Sequence, residues 1–238
     1  MSDTTEAFIR AFEEIVGEVN RRAGATHSHA FEIEKAAARD GTARRHRALL
    51  LYIRDVRNTL QHPKHRTPGP AIEVTAPFLA EVQALVRQFR SPPTANSVGV
   101  ARGDIRTAQL HDQLGDLAQM MKRYGFSHVP ILDERGAVVG IFNEAAVFDH
   151  LWASPETIIG REMRVEEILP HCRIDAGHTE TFKFIRPGTL LDDLVGMFMA
   201  LHSPTTRIGA AFVTASGKPT EPLQRMITPW DVLAGVRD

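Results

Sequence analysis

A single cysteine, Cys172, stands among 238 residues, so no internal disulfide can form, and a lone thiol fits a reducing compartment. Long apolar runs are missing as well. The stretch ALLLYI over residues 48–53 is far below the roughly 18–20 residues that span a bilayer. The N-terminus lacks a basic-then-apolar signal pattern, and a cytoplasmic chain with no membrane association is expected. There is no Walker loop, no G-x-G-x-x-G and no G-x-S-x-G, which leaves nucleotide-hydrolase, dinucleotide-binding and serine-hydrolase readings without support. Eleven histidines invite a metal, above all His27 with His29 and His62 with His65. No Cys-x-x-Cys, His-Glu-x-x-His or acidic triad accompanies them, so no metal is expected.

What is present is 43% hydrophobic content, enough to bury the core of one large or two ordinary domains. The net charge of −1 hides an asymmetry. Residues 1–92 hold 14 Lys+Arg against 11 Asp+Glu, and the remainder 14 against 18. Within 41–66, Arg44, Arg45, Arg47, Arg54, Arg57, Lys64 and Arg66 face only Asp55. Such a stretch is either a phosphate-attracting patch or a solvated helix face.

The two halves follow different periods. Phe8, Phe12, Ile15, Val16 and Val19 recur at helical spacing behind Ser2, Asp3 and Thr4, which can cap a first helix. A second helix is expected over about 29–40 and a third over about 43–62, with Leu49, Ile53, Val56 and Leu60 turned inward. After the Pro- and Gly-rich HPKHRTPGP, Thr75 can cap a fourth helix that buries Phe78, Val82, Leu85, Val86 and Phe89. RSPPTANS (90–97) marks the boundary. Beyond it SHVPIL and AVVGIF read as short buried strands around the turn DERG, and Leu114, Leu117 and Met121 give an amphipathic helix. Met120, Met121, Met197 and Met199 fall on helical faces and read as core.

The second half repeats itself weakly. LGDLAQMM (114–121) matches LDDLVGMF (191–198) at an offset of 77, HVPIL (128–132) falls against AAFVT (210–214) at 82, and FNEAAVF (142–148) against ITPWDVL (227–233) at 85. Two units in the same order suggest an intramolecular pair around a pseudo-two-fold axis. FSHVPILDERGAVVGIFNEAAVF and RIGAAFVTASGKPTEPLQRMITPWDVL resemble the second part of cystathionine-β-synthase (CBS) domains, which occur as tandem pairs. The likeness covers about residues 98–237, with the first repeat at about 98–152 and the second at about 178–237. It implies mixed β-α-β-β-α units whose cleft holds an adenosine-containing ligand, with a Thr/Ser-x-x-Asp signature after the last strand. Thr228 and Asp231 carry that signature in the second copy. A carboxylate can accept from both ribose hydroxyls and a threonine oxygen can meet ribose or phosphate; Asp231 can equally serve as a helix cap. Asn143 and Ala146 replace the pair in the first copy, and alanine cannot bind a ribose, so at most one well-formed site is expected. Gly209 allows close backbone approach and Arg207 can pair with phosphate. A regulatory adenine nucleotide (AMP, ATP or a related compound) follows from the resemblance; no other cofactor is required.

RNTLQH (57–62) stands at the end of the third helix. Arg54, Asn58 and His62 are one turn apart on a single face with Arg57 beside them, and Pro63 places His62 at the helix end. A guanidinium can clamp phosphodiester oxygens, an asparagine can orient the histidine, and an imidazole can move a proton near neutral pH; the same residues can also decorate an ordinary solvated helix. An all-helical domain with R-N-x-x-x-H at the end of its third helix, followed by a Pro-rich loop and one more helix, resembles the HEPN family over about residues 4–91. The resemblance implies a dimerising four- or five-helix bundle and metal-independent RNA cleavage of the toxin or defence-effector type. Arg57 would then be the phosphate clamp, Asn58 the positioner and His62 the acid/base, with Arg54, Lys64 and His65 as further phosphate contacts.

The fold class expected is α plus α/β, with a helical bundle over 1–92 and a tandem CBS pair over 98–237. The leading functional expectation is a homodimeric endoribonuclease acting on RNA and governed by an adenosine-containing small molecule. A non-catalytic nucleotide sensor, whose helical domain serves dimerisation or the binding of a partner or nucleic acid, is the alternative.

Overall fold

The computed structural model describes residues 2–25, 30–61, 72–153, 156, 158–175, 180–200 and 206–235. The chain divides into two compact units, Met1–Pro93 with Leu190–Gly196, and Thr94–Thr189 with Met197–Asp238.

The first unit is helical. Helix α1 (Asp3–Ala23) starts at Ser2, whose hydroxyl accepts from the Thr5 amide, and ends at Gly24 with φ 70°, a left-handed turn that glycine adopts without strain. Phe8, Ile15 and Val19 are fully buried along one stripe. They pack with Val82, Leu85, Val86 and Phe89 of α5 (Ala76–Arg90), whose amino end is capped by Thr75 accepting from the Phe78 amide. Val16 and Phe78 are only partly buried at the edge of this core.

Between them lie α2 (Ile33–Arg39), α3 (Gly41–Arg45) and α4 (Arg47–Gln61). The single helix expected over 43–62 is divided at His46, where φ −95° and ψ 13° leave the helical well. Hydrogen bonds from the His46 amide to Thr42 O (3.0 Å) and from the Leu50 amide to His46 O (2.9 Å) still carry the ladder across the break. Leu50 and Ile53 are the fully buried residues of α4, whereas Leu49, Val56 and Leu60 are half-buried against the core. The α2–α3 junction is held by Asp40. Its Oδ1 accepts from the Ala43 amide at 2.9 Å and its Oδ2 from Arg22 Nη1 at 2.6 Å. Arg22 also donates through Nη2 to Phe89 O at 2.6 Å, and its guanidinium lies 4.7 Å from the Phe89 ring centre.

In the second unit β1 (Val100–Ala101), α6 (Leu114–Tyr124), β2 (Val129–Leu132), β3 (Val138–Phe142) and α7 (Glu144–Ala153) are followed by α8 (Val165–Cys172). Then come β4 (Glu180–Ile185), α9 (Leu191–Met199), whose residues up to Gly196 are grouped with the first unit, β5 (Arg207–Val213), β6 (Arg225–Ile227) and α10 (Pro229–Gly235). A four-stranded sheet has the order β1-β6-β5-β4, parallel between β4 and β5 and otherwise antiparallel, and β2 pairs with β3 as a separate antiparallel hairpin. The parallel pair needs a crossover, which α9 supplies. The DERG turn closes the hairpin: Asp133 Oδ1 accepts from the Arg135 and Ala137 amides at 2.9 and 2.8 Å, and Gly136 takes φ 80°.

One core gathers Leu114, Leu117, Met121, Ala146, Val165, Ile168 and Cys172, and another Phe182, Phe212, Leu132, Val138 and Ile141. Burial pushes the Cys172 thiol up to about 12. Met121 is core as expected, but Met199 is 77% exposed: it is the last residue of α9, beyond the turns that bury Leu191 and Leu194. Among the described residues, no helix is long and apolar enough to cross a membrane.

Candidate functional site

The strand β6 ends at Ile227, and Thr228 and Pro229 turn the chain into α10, with proline at a first helical position where its missing N–H costs nothing. Asp231 Oδ2 accepts from both the Thr228 amide and the Thr228 hydroxyl at 2.7 Å. The carboxylate is therefore a cap, while its Oδ1 takes no part in that pair and the Thr228 oxygen keeps its acceptor capacity. Both residues line a cleft of about 250 Å³ together with Val100, Arg106, Phe126, His128 and Trp230. At Asp231 a helix-capping role and a place on the cleft lining coexist.

His128 and Arg106 were not singled out from sequence, and neither was Trp230. The His128 ring is held at both nitrogens, with Nε2 2.6 Å from Glu180 Oε2 and Nδ1 2.7 Å from Ser127 Oγ, and meets Phe182 edge-on at 5.8 Å. Glu180 is 52 residues away in sequence, so no local pattern announces the pair. Arg106 is exposed, with its guanidinium 5.5 Å from the Tyr124 ring centre. Trp230 is 77% exposed beside Asp231, leaving an indole face open to a planar partner.

Arg207 and Gly209 do not line this cleft. Arg207 is exposed at the start of β5, paired in register with Glu180. Gly209 stands behind the cleft wall: a Cβ there would lie 2.9 Å from Glu180 Oε2 and 3.1 Å from Phe182 Cε1. The missing side chain makes room for the carboxylate that holds His128.

In the first copy Asn143 Oδ1 accepts from the Ala146 amide at 2.9 Å, and Ala146 is fully buried. The cap survives there without a carboxylate. A cleft of about 700 Å³ is lined by Asn143, Glu144, Lys122 and Phe126, with no acid at the position equivalent to Asp231.

In the helical unit Arg54, Arg57 and Asn58 line a cleft of about 360 Å³ whose floor is Phe12, Val16 and Phe31. Arg57 Nη1 donates to Asn58 Oδ1 at 3.3 Å, and its guanidinium lies 5.5 Å from the Phe12 ring centre. Arg54 is held by Asp55 at 3.1 Å. The basic stretch is less free than counting within 41–66 suggests. Arg47 is paired with Glu34 at 2.6 Å and Arg45 with Asp192 at 3.1 Å, while Arg44 donates to Ala37 O at 2.9 Å. These partners come from other elements, which a window of sequence cannot reveal. His62, Lys64 and His65 lie outside the described residues. Among the described residues, no group of three or more His, Cys, Asp or Glu side chains could hold a metal ion.

Residues 98–153 match the family model of the CBS domain, the copy that lacks the acid. Solved structures similar to this chain include CBSX2 in complex with AMP, 11% identical, covering 60% of this chain and 96% of that one with a TM-score of 0.44. CbpB in complex with c-di-AMP is 12% identical, covering 65% and 93% with a TM-score of 0.48. Protein MJ1225 from Methanocaldococcus jannaschii is 23% identical, covering 66% and 52% with a TM-score of 0.45. No curated protein sequence matches the chain.

Proposed function

We propose that this protein, which contains a CBS domain at residues 98–153, is a sensor that binds one adenosine-containing nucleotide in the cleft of Thr228 and Asp231. The observation that carries the reading is the set of groups opening on that cleft: a Thr228–Asp231 pair beside Arg106, His128 and Trp230. Asp231 Oδ1 and the Thr228 oxygen are acceptors suited to a ribose diol. Arg106 supplies a cation suited to a phosphate, and Phe126 with Trp230 supplies apolar faces for a base. The first copy, with Ala146 buried, supports no equivalent ribose contact.

Calorimetric titration of the purified chain with AMP, ATP and S-adenosylmethionine tests this. At least one of the three is expected to bind with one ligand per chain. Asp231→Ala is expected to weaken it by roughly 10- to 100-fold, the loss of a charge-assisted hydrogen bond, while Asn143→Ala leaves it unchanged. Absence of binding by all three, or equal affinity in wild type and Asp231→Ala, refutes the reading.

A second reading, RNA cleavage by the helical unit, is favoured by the convergence of Arg54, Arg57 and Asn58 on one cleft. In it a second copy of the chain brings its own motif alongside; His62 takes the proton of a 2′-hydroxyl, the freed 2′-oxygen attacks the adjacent phosphorus, and the P–O5′ bond breaks to leave a 2′,3′-cyclic phosphate and a 5′-oxygen that takes up a proton as a 5′-hydroxyl. Labelled RNA incubated in EDTA with wild type, His62→Ala and Arg57→Ala decides the matter. Cleavage by wild type and a loss of about 10²-fold or more in each variant is expected; identical products from all three remove the enzymatic reading and leave the sensor.

A further inference from the structure

Two histidines on neighbouring helices stand apart from all of these clefts. His150 of α7 is 8% exposed, and neither its Nδ1 nor its Nε2 has a hydrogen-bond partner among the described residues. Facing it, the half-buried ring of His171 on α8 lies 5.1 Å away between ring centres, with 70° between planes. Pro170 directly precedes His171 and removes an N–H from the last turn of α8, fixing the backbone that carries the ring.

A neutral imidazole offers one N–H and one lone pair, and a buried polar atom without a partner is a feature native proteins avoid unless something uses it. The neighbouring core residues Ala146, Val165, Ile168 and Cys172 of the same two helices are buried, and the thiol among them is held protonated rather than offered as a thiolate ligand. A transition-metal ion suits a pair of imidazoles. Two imidazoles bound to one tetrahedral zinc at Zn–N distances of about 2.0–2.1 Å have ring centres about 5 Å apart, which is the separation found here. We propose that His150 and His171 form a two-histidine site for a divalent transition-metal ion, zinc by preference, which clips α7 to α8. No third protein ligand joins them among the described residues, so the remaining positions belong to solvent and the ion exchanges freely.

The metal-stripped full-length chain titrated with Zn²⁺ by calorimetry, with Co²⁺ absorption as a spectroscopic check, tests the proposal. One site is expected, weakened by about tenfold or more in both His150→Leu and His171→Ala. Zn²⁺ should also raise the melting temperature of wild type and of a His27→Ala/His29→Ala double variant, but not of the two site variants. His171 is at the half-exposed rim, so His171→Ala keeps the test decisive even where His150→Leu does not fold. The proposal is overturned by absence of Zn²⁺ binding, by binding and melting shifts that persist in both site variants, or by their loss in the His27→Ala/His29→Ala variant instead.

Discussion

Arg22→Ala is expected to lower the stability of the helical unit by about 3–5 kcal/mol, the cost of leaving a buried charge without its counterpart. The side chains of Arg22 and Asp40 are 10% and 11% exposed and meet at 2.6 Å. Truncating the arginine strands three groups at once: the Asp40 carboxylate, the Phe89 carbonyl and the face of the Phe89 ring. Arg22→Lys should recover only part of the loss, because one ammonium cannot reproduce a planar fork directed at two acceptors. Asp40→Asn should be milder than Arg22→Ala, since an amide oxygen can still accept from the Ala43 amide. Denaturant unfolding followed by far-UV circular dichroism measures all three. An Arg22→Ala transition within about 1 kcal/mol of wild type would show that the pair is a bystander.

The second large effect belongs to Phe212→Ala, with an expected cost of about 3–5 kcal/mol from the cavity left in the sheet core. Phe212 is fully buried on the central strand β5, with ring centres 6.0 Å from Phe182 and 5.6 Å from Phe184. The consequence reaches the cleft. Phe182 contacts the His128 ring edge-on, so a void behind Phe182 releases the imidazole from one of the surfaces that fix it. Phe212→Leu, a smaller loss of volume, should retain the fold and weaken the nucleotide binding proposed above by a few-fold, about 1 kcal/mol or less. Both tryptophans, Trp152 and Trp230, lie in this unit, so thermal unfolding followed by their emission reads the stability directly, and calorimetry reads the affinity. Unchanged melting in Phe212→Ala contradicts the first expectation, and unchanged affinity in a folded Phe212→Leu contradicts the second.

Much of the local structure was legible because local chemistry decides it. The stripe of Phe8, Ile15 and Val19 and the stripe of Val82, Leu85, Val86 and Phe89 are periodic in the sequence and buried in the fold. Thr75 and the Asp133–Gly136 turn announce themselves by residue type. The cap joining Thr228 and Asp231 is local chemistry of the same kind, and both residues line one cleft. What escaped were relations set by tertiary packing. Glu180 reaches His128, Glu34 reaches Arg47, and Arg22 reaches Phe89 across separations that no periodicity encodes. The division at His46 has no glycine or proline to mark it. Strand β4 carries a signal of its own, Phe182 alternating with Phe184 in ETFKFI. Arg207, a cation by residue type, is exposed at the first residue of β5 and does not line the cleft of Asp231; residue type does not encode direction.

The lone sulfur has a practical corollary. Cys172 is 1% exposed and its sulfhydryl resists ionisation, so alkylating or oxidising reagents, which attack the ionised form, find no purchase while α8 keeps its place. Each labelling event then marks an excursion in which that helix lifts from its neighbours. The rate of covalent capture becomes a clock for breathing of this one element, already installed by nature at a single address.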